Sequence, residues 1–147
     1  MISLDYNLEE AGWAIAKIGN GEKTVVLTVS YLHDTLKDLA KSAIYIKEKK
    51  AKRIVFMDEP GEHHLILNKI SETEIEYELK WYEDWIDWNA IEDKKYKSLL
   101  LGKTKITRYI NEVRNILIEI YDSIGIVGYK EKWINHEFPL KEFKHLK

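Results

Sequence analysis

Several short stretches hold residues that could do chemistry, and each sets a geometric condition. His33-Asp34, Glu59, Glu62 and His63 could form an acid–base or metal site if folding brought them together. His63 and His64 are adjacent, so on a strand they point to opposite faces and cannot chelate one ion together. Leu101-Gly102-Lys103-Thr104 ends like a phosphate-binding loop, but the first glycine of that motif would fall at Lys97 and the intervening residues read as strand. His136-Glu137 lacks the second histidine of a zinc-protease helix. There is no G-x-S-x-G, and a chain without cysteine has neither a thiolate nucleophile nor a thiolate metal site. These patterns point to no catalytic residue, no bound metal and no cofactor.

A different kind of chemistry is concentrated in residues 72–93. Glu72, Glu74, Glu76 and Glu78 alternate with Thr73, Ile75, Tyr77 and Leu79, so a strand there presents carboxylates on one face and apolar groups on the other. The run continues as Lys80-Trp81-Tyr82-Glu83-Asp84-Trp85-Ile86-Asp87-Trp88. From Ser71 to Asp93 there are nine acids and one lysine. Trp81 falls on the apolar face and is expected in the core. Tyr82, Glu83, Asp84, Trp85, Asp87 and Trp88 fall where the strand should give way to a loop. Large aromatics with acidic neighbours have the composition of a protein-binding hot spot, and the acids would attract a basic partner. The competing reading is a solvated strand whose glutamates face lysines of its neighbours, under a loop folded back over the sheet.

The elements that must position these residues follow from periodicity. Residues 2–7, 12–18 and 24–31 read as strands, with Gly19-Asn20-Gly21 as a hairpin turn that tolerates positive φ. Leu32, Leu36, Leu39, Ala40, Ala43 and Ile44 recur at helical spacing, with Ser30 or Asp34 as cap and the basic run Lys47 to Arg53 at the end. Strands follow at 53–59 and 63–70 around Glu59-Pro60-Gly61-Glu62, which carries the signature of a type II turn. Further strands are expected at 73–82 and 96–101. Ile106, Tyr109, Ile110, Val113, Leu117, Ile120, Tyr121 and Ile124 form one helical stripe, which Gly125 is placed to end. Trp133, Phe138, Leu140, Phe143 and Leu146 would pack a short helical tail. The order predicts an α+β fold: an antiparallel meander of six or seven strands with two main helices on one face.

Composition bounds the remaining classes. The 147 residues are 45% hydrophobic and 33% charged, enough for one domain with a real core over residues 1–147. A formal net charge of −2 argues against a nucleic-acid partner. No apolar run is long enough to span a bilayer, and no basic n-region precedes an apolar run at the N-terminus. A cytoplasmic protein that does not bind membranes is the expectation.

Gly12-Trp13-Ala14, Thr28-Val29-Ser30-Tyr31-Leu32 with Asp34 and Leu36, Glu59-Pro60-Gly61-Glu62, Gly128-Tyr129, Trp133 and Phe138-Pro139 occur in an order that resembles small bacterial proteins similar to immunity proteins of polymorphic toxin and contact-dependent inhibition systems. The resemblance covers about residues 12–146. It implies a non-enzymatic protein that binds a cognate toxin domain, but it supplies no site residues. Two other functions stay open on the residues alone. One is a small enzyme built around His33, Glu59, Glu62 and His63; the other is a homo-oligomer that buries an edge strand or the aromatic loop. The oligomeric state is not fixed by the sequence.

Overall fold

The computed structural model describes residues 1–84 and 95–147. Trp85, Asp87 and Trp88 lie outside the described residues. The chain runs β1 (Ser3–Leu8), β2 (Trp13–Gly19), β3 (Thr24–Ser30), α1 (Thr35–Tyr45), β4 (Ala51–Met57), β5 (Glu62–Lys69), β6 (Glu74–Tyr82), β7 (Lys97–Lys105), α2 (Ile106–Ser123), α3 (Gly125–Trp133) and α4 (Leu140–Leu146).

The fold is α+β, as expected, but the strands form two antiparallel sheets rather than one meander: β1-β2-β3 and β4-β5-β6-β7. Among the described residues there are four helices: the two main ones expected, α1 and α2, and the shorter α3 and α4 of the tail. The sheets separate at α1. The Thr35 hydroxyl, at the start of α1, donates to the Val55 carbonyl of β4 at 2.8 Å. The end of β3 reaches the β4–β5 turn through side chains, with Thr28 Oγ1 donating to Asp58 and Ser30 Oγ to Glu59. At the opposite edge, successive outward carbonyls of β7 are also occupied. Leu99 accepts from Lys23 Nζ, Leu101 from Asn20 Nδ2 and Lys103 from the Met1 amine. That edge therefore offers few free carbonyls to another strand.

One apolar core joins both sheets and the helices. Leu4, Tyr6, Ala14, Ala16, Leu27 and Val29 from the first sheet meet Ile54, Phe56, Leu65, Leu67, Ile75, Tyr77, Leu79 and Leu100 from the second. The α2 stripe is buried from Ile106 to Ile120. It ends before Gly125, whose φ of 68° is the left-handed conformation that glycine adopts without steric cost, and α3 begins there. Trp133, Phe138, Phe143 and Leu146 fix the tail, as the apolar pattern predicts.

Two local expectations change. The first helix ends at Tyr45, whose carbonyl accepts from the Glu48 and Lys49 N–H groups as the chain turns, so Lys52 and Arg53 belong to β4. At Glu59-Pro60-Gly61 the X-Pro bond is cis rather than the trans bond of a type II turn, while Gly61 keeps a positive φ of 89°. A Cβ on Gly61 would overlap the Trp81 ring, so this position needs glycine twice over. Among the described residues no helix is long and apolar enough to cross a membrane.

Candidate functional site: the outer face of the four-stranded sheet

The faces of this sheet follow from register. Leu65 pairs with Leu79, Leu67 with Tyr77 and Leu79 with Leu100, and this set faces the core. The alternate residues lie on the opposite face: Arg53, His64, Ile66 and Asn68, then Glu74, Glu76, Glu78 and Lys80, then Leu101, Lys103 and Lys105; His64 is itself fully buried, whereas Asn68, Leu101 and Lys103 are exposed. A shallow groove of about 400 Å³ runs across this face between Asn68, Glu76, Glu78, Leu101 and Lys103. Leu101 is 62% exposed within it, an apolar group surrounded by charge.

The carboxylate ladder is real but not purely acidic. Glu74 stands opposite Lys105 and Glu76 opposite Lys103, while Glu78 faces Leu101 and lies 3.9 Å from Lys80. Glu72 precedes β6, is 96% exposed and lies 3.7 Å from Lys69. Glu83 and Asp84 are exposed just beyond the strand. Tyr82 is not on a loop. It is the last residue of β6, only 3% exposed, with its ring 4.7 Å from His64 and 5.8 Å from Tyr96. Trp81 is half-buried rather than fully in the core, and its ring lies 4.6 Å from His63.

The residues expected around the Glu59–His63 turn take different partners, although the charge of Glu62 reaches His33. Glu59 accepts from Ser30, His33 Nε2 donates to Asp38 at 2.6 Å, and His63 faces inward against Trp81. Burial pushes His63 down to about 4. Burial also opposes the charged form of His33, but the bond and charge of Asp38 outweigh it and raise its pKa. Among the described residues no group of three or more His, Cys, Asp or Glu could hold a metal ion.

Two arrangements escaped the sequence reading. His64, on the outer face, lies between Arg53 Nη1 and Glu62 Oε2, each at 2.6 Å. Arginine can only donate, so Nδ1 of His64 accepts and Nε2–H donates to Glu62; the ring is neutral. Burial is the main reason its pKa is lowered, against the pull of Glu62. The i, i+2 spacing of Glu62 and His64 was the available signal, but Arg53 is joined only by the β4–β5 register. Asp34 meets His136 at 3.7 Å, while His136 Nε2 donates to the Tyr31 carbonyl. They stand 102 positions apart, so no local pattern announces that pair. Desolvation raises the Asp34 pKa against the charge of His136.

No family model matches the chain, and no curated protein and no solved structure matches it.

Proposed function

We propose that this chain is a non-enzymatic protein-binding domain that works through the outer face of β5–β7. The finer form of the proposal is an immunity protein that neutralises a cognate toxin domain. The observation that supports binding is Leu101: a large apolar side chain held open to solvent on a rigid sheet, in a groove edged by Glu76, Glu78 and Lys103. An apolar centre with a charged rim is the anatomy of a protein interface. The toxin reading adds the sequence resemblance and an acidic segment suited to a basic partner.

The test is growth of a host expressing the neighbouring gene, alone and with this protein. Rescue is the expected result. The Leu101→Arg variant should remain folded, because its site is open, and should lose rescue together with at least about tenfold in partner affinity, which is about 1.4 kcal/mol. A harmless neighbour, or one that kills in the presence of this protein, removes the toxin reading. Full rescue by Leu101→Arg removes the assigned face.

A further inference from the structure

We propose that the interior space enclosed by Tyr6, Asp34, Tyr129 and Trp133 is a binding site for water, held there as a structural ligand that joins the tail to β1 and to the entry of α1. The site uses none of the outer-face residues and does not depend on the protein-binding reading.

Among the described residues six buried side-chain atoms have no hydrogen-bond partner within the protein. Four of them belong to these residues: the Tyr6 and Tyr129 hydroxyls, Trp133 Nε1 and Asp34 Oδ1. Buried polar atoms are nearly always paired, so four orphans in one neighbourhood call for a common cause. Three kinds of observation bring them together. Tyr129 and Trp133 stand four residues apart on α3, so they project from the same face of it. The rings of Tyr6 and Trp133 meet edge to face at 6.2 Å. Burial raises the pKa of both phenols, and the charges that raise it further come from within the group: Tyr129 and Asp34 act on Tyr6, and Asp34 acts on Tyr129. Tyr6 is 3% exposed, and Tyr129 and Trp133 are fully buried, so bulk solvent does not reach them.

The four groups select their ligand by what each can donate or accept. The indole N–H can only donate, so the ligand must accept a hydrogen bond; ammonium cannot. A carboxylate can only accept, so the ligand must also donate; chloride cannot. The phenols can do either. A small neutral molecule with both capacities meets these conditions, and water is the smallest. One buried water makes two to four hydrogen bonds, and it joins groups about 5.5 Å apart that cannot reach each other directly.

Direct bonds run beside this site. His136 Nε2 donates to the Tyr31 carbonyl at 2.8 Å, its Nδ1 lies 3.7 Å from Asp34 Oδ2, and the Gly12 N–H donates to the Lys132 carbonyl at 2.9 Å. Between Trp133 and His136 the chain turns through Ile134, whose φ of 65° is strained for a β-branched residue. What lies on either side holds that strain: Trp133 in the core and His136 on Tyr31. Water on the Trp133 N–H adds to the hold. The tail is then fixed by a polar bridge as well as by the burial of Phe138 and Phe143.

The experiment uses the full chain in solution. Rotating-frame Overhauser transfer from water to the Trp133 indole N–H is expected. Magnetic relaxation dispersion of the water oxygen should detect long-lived internal water; this signal follows oxygen, so proton exchange with a phenol cannot mimic it. In the Tyr6→Phe, Tyr129→Phe double variant its amplitude should fall by about one water molecule, because two of the four partners are gone and a buried water keeps about three. Each single change to Phe should lower the melting temperature by about 2–4 °C, the size expected for one lost hydrogen bond in a chain of this length. The sign is decisive: removing a hydroxyl that has no partner relieves a buried polar group and raises the melting temperature. Absence of transfer to the Trp133 indole, an unchanged amplitude in the folded double variant, or a higher melting temperature in the single variants would each overturn the proposal. The first of these needs no variant, so it decides the matter even where the double variant does not fold.

Discussion

His63 and His64 are neighbours in sequence that end in unlike surroundings, and each is kept neutral by its place on β5. For His63 the consequence for stability has a definite sign. Its folded pKa, about 4, lies below the ordinary value of 6.5. The unfolded chain therefore takes up a proton first as pH falls. The contribution of this residue is complete above pH 6.5 and declines toward pH 4, by up to about 1.4 kcal/mol per pH unit. His64 is shifted the same way by burial, while His33 is raised and so loses its contribution as pH rises through its folded value. Replacing His63 with Phe, which suits the contact with Trp81, should flatten the decline between pH 6.5 and 4. Urea unfolding at several pH values for both proteins measures this. Parallel curves would mean that His63 protonates in the folded state as easily as in the unfolded one.

At the scale of elements, local signals located most of the structure. Gly19-Asn20-Gly21, the Val-rich run of β3, the α2 stripe and the Gly125 stop each follow from backbone conformation or apolar spacing, and these are properties of neighbouring residues. What escaped depends on distant contacts. That β3 and β4 do not pair is decided by α1 and by Thr35, Thr28 and Ser30 bonding across the gap. Strand β7 extends through Gly102 to Lys105, beyond its expected end at Leu101, because Gly102 lets the Tyr77 phenol lie against the backbone; a Cβ there would overlap it. The outer acid ladder was legible from alternation alone, whereas the opposing lysines of β7 became visible only with register.

The tail makes the same point in energetic form. Seven residues are too few for α4 to hold as a helix alone, so side-chain burial must keep it in place. Phe143 is buried, with its ring 5.2 Å from Tyr121 and 5.6 Å from Phe138, and Arg114 Nε donates to the Leu146 carbonyl. Phe143→Ala should lower unfolding free energy by about 3 kcal/mol, as for other buried phenylalanines. Denaturant unfolding gives the number, and hydrogen exchange shows where it acts. A loss below about 1 kcal/mol would place α4 outside the cooperative unit.

For the whole molecule the distribution of charge matters more than its net value of −2. If a basic partner docks on the outer sheet face, long-range attraction and short-range contact should divide between different residues. Glu74 and Glu76 face Lys105 and Lys103 across the strands, so their fields largely cancel at a distance. Glu83 and Asp84 are exposed beyond the strand end, in a hollow that Lys95 and Lys97 also line. Being exposed and outside the cross-strand pairing of β6 and β7, they are the acids expected to contribute most to steering, and Leu101 to retention. Raising ionic strength from about 0.01 M to about 0.15 M shortens the screening length from roughly 30 Å to 8 Å and should slow association by more than about threefold, with dissociation little changed. The Glu83→Gln, Asp84→Gln double variant should lose most of that salt dependence, and Glu74→Gln should keep it. Leu101→Arg should instead speed dissociation, the step on which most interface changes act. Stopped-flow association with the neighbouring gene product measures all four. A salt-independent on-rate would remove the steering role, and an unchanged off-rate in Leu101→Arg would move the contact elsewhere.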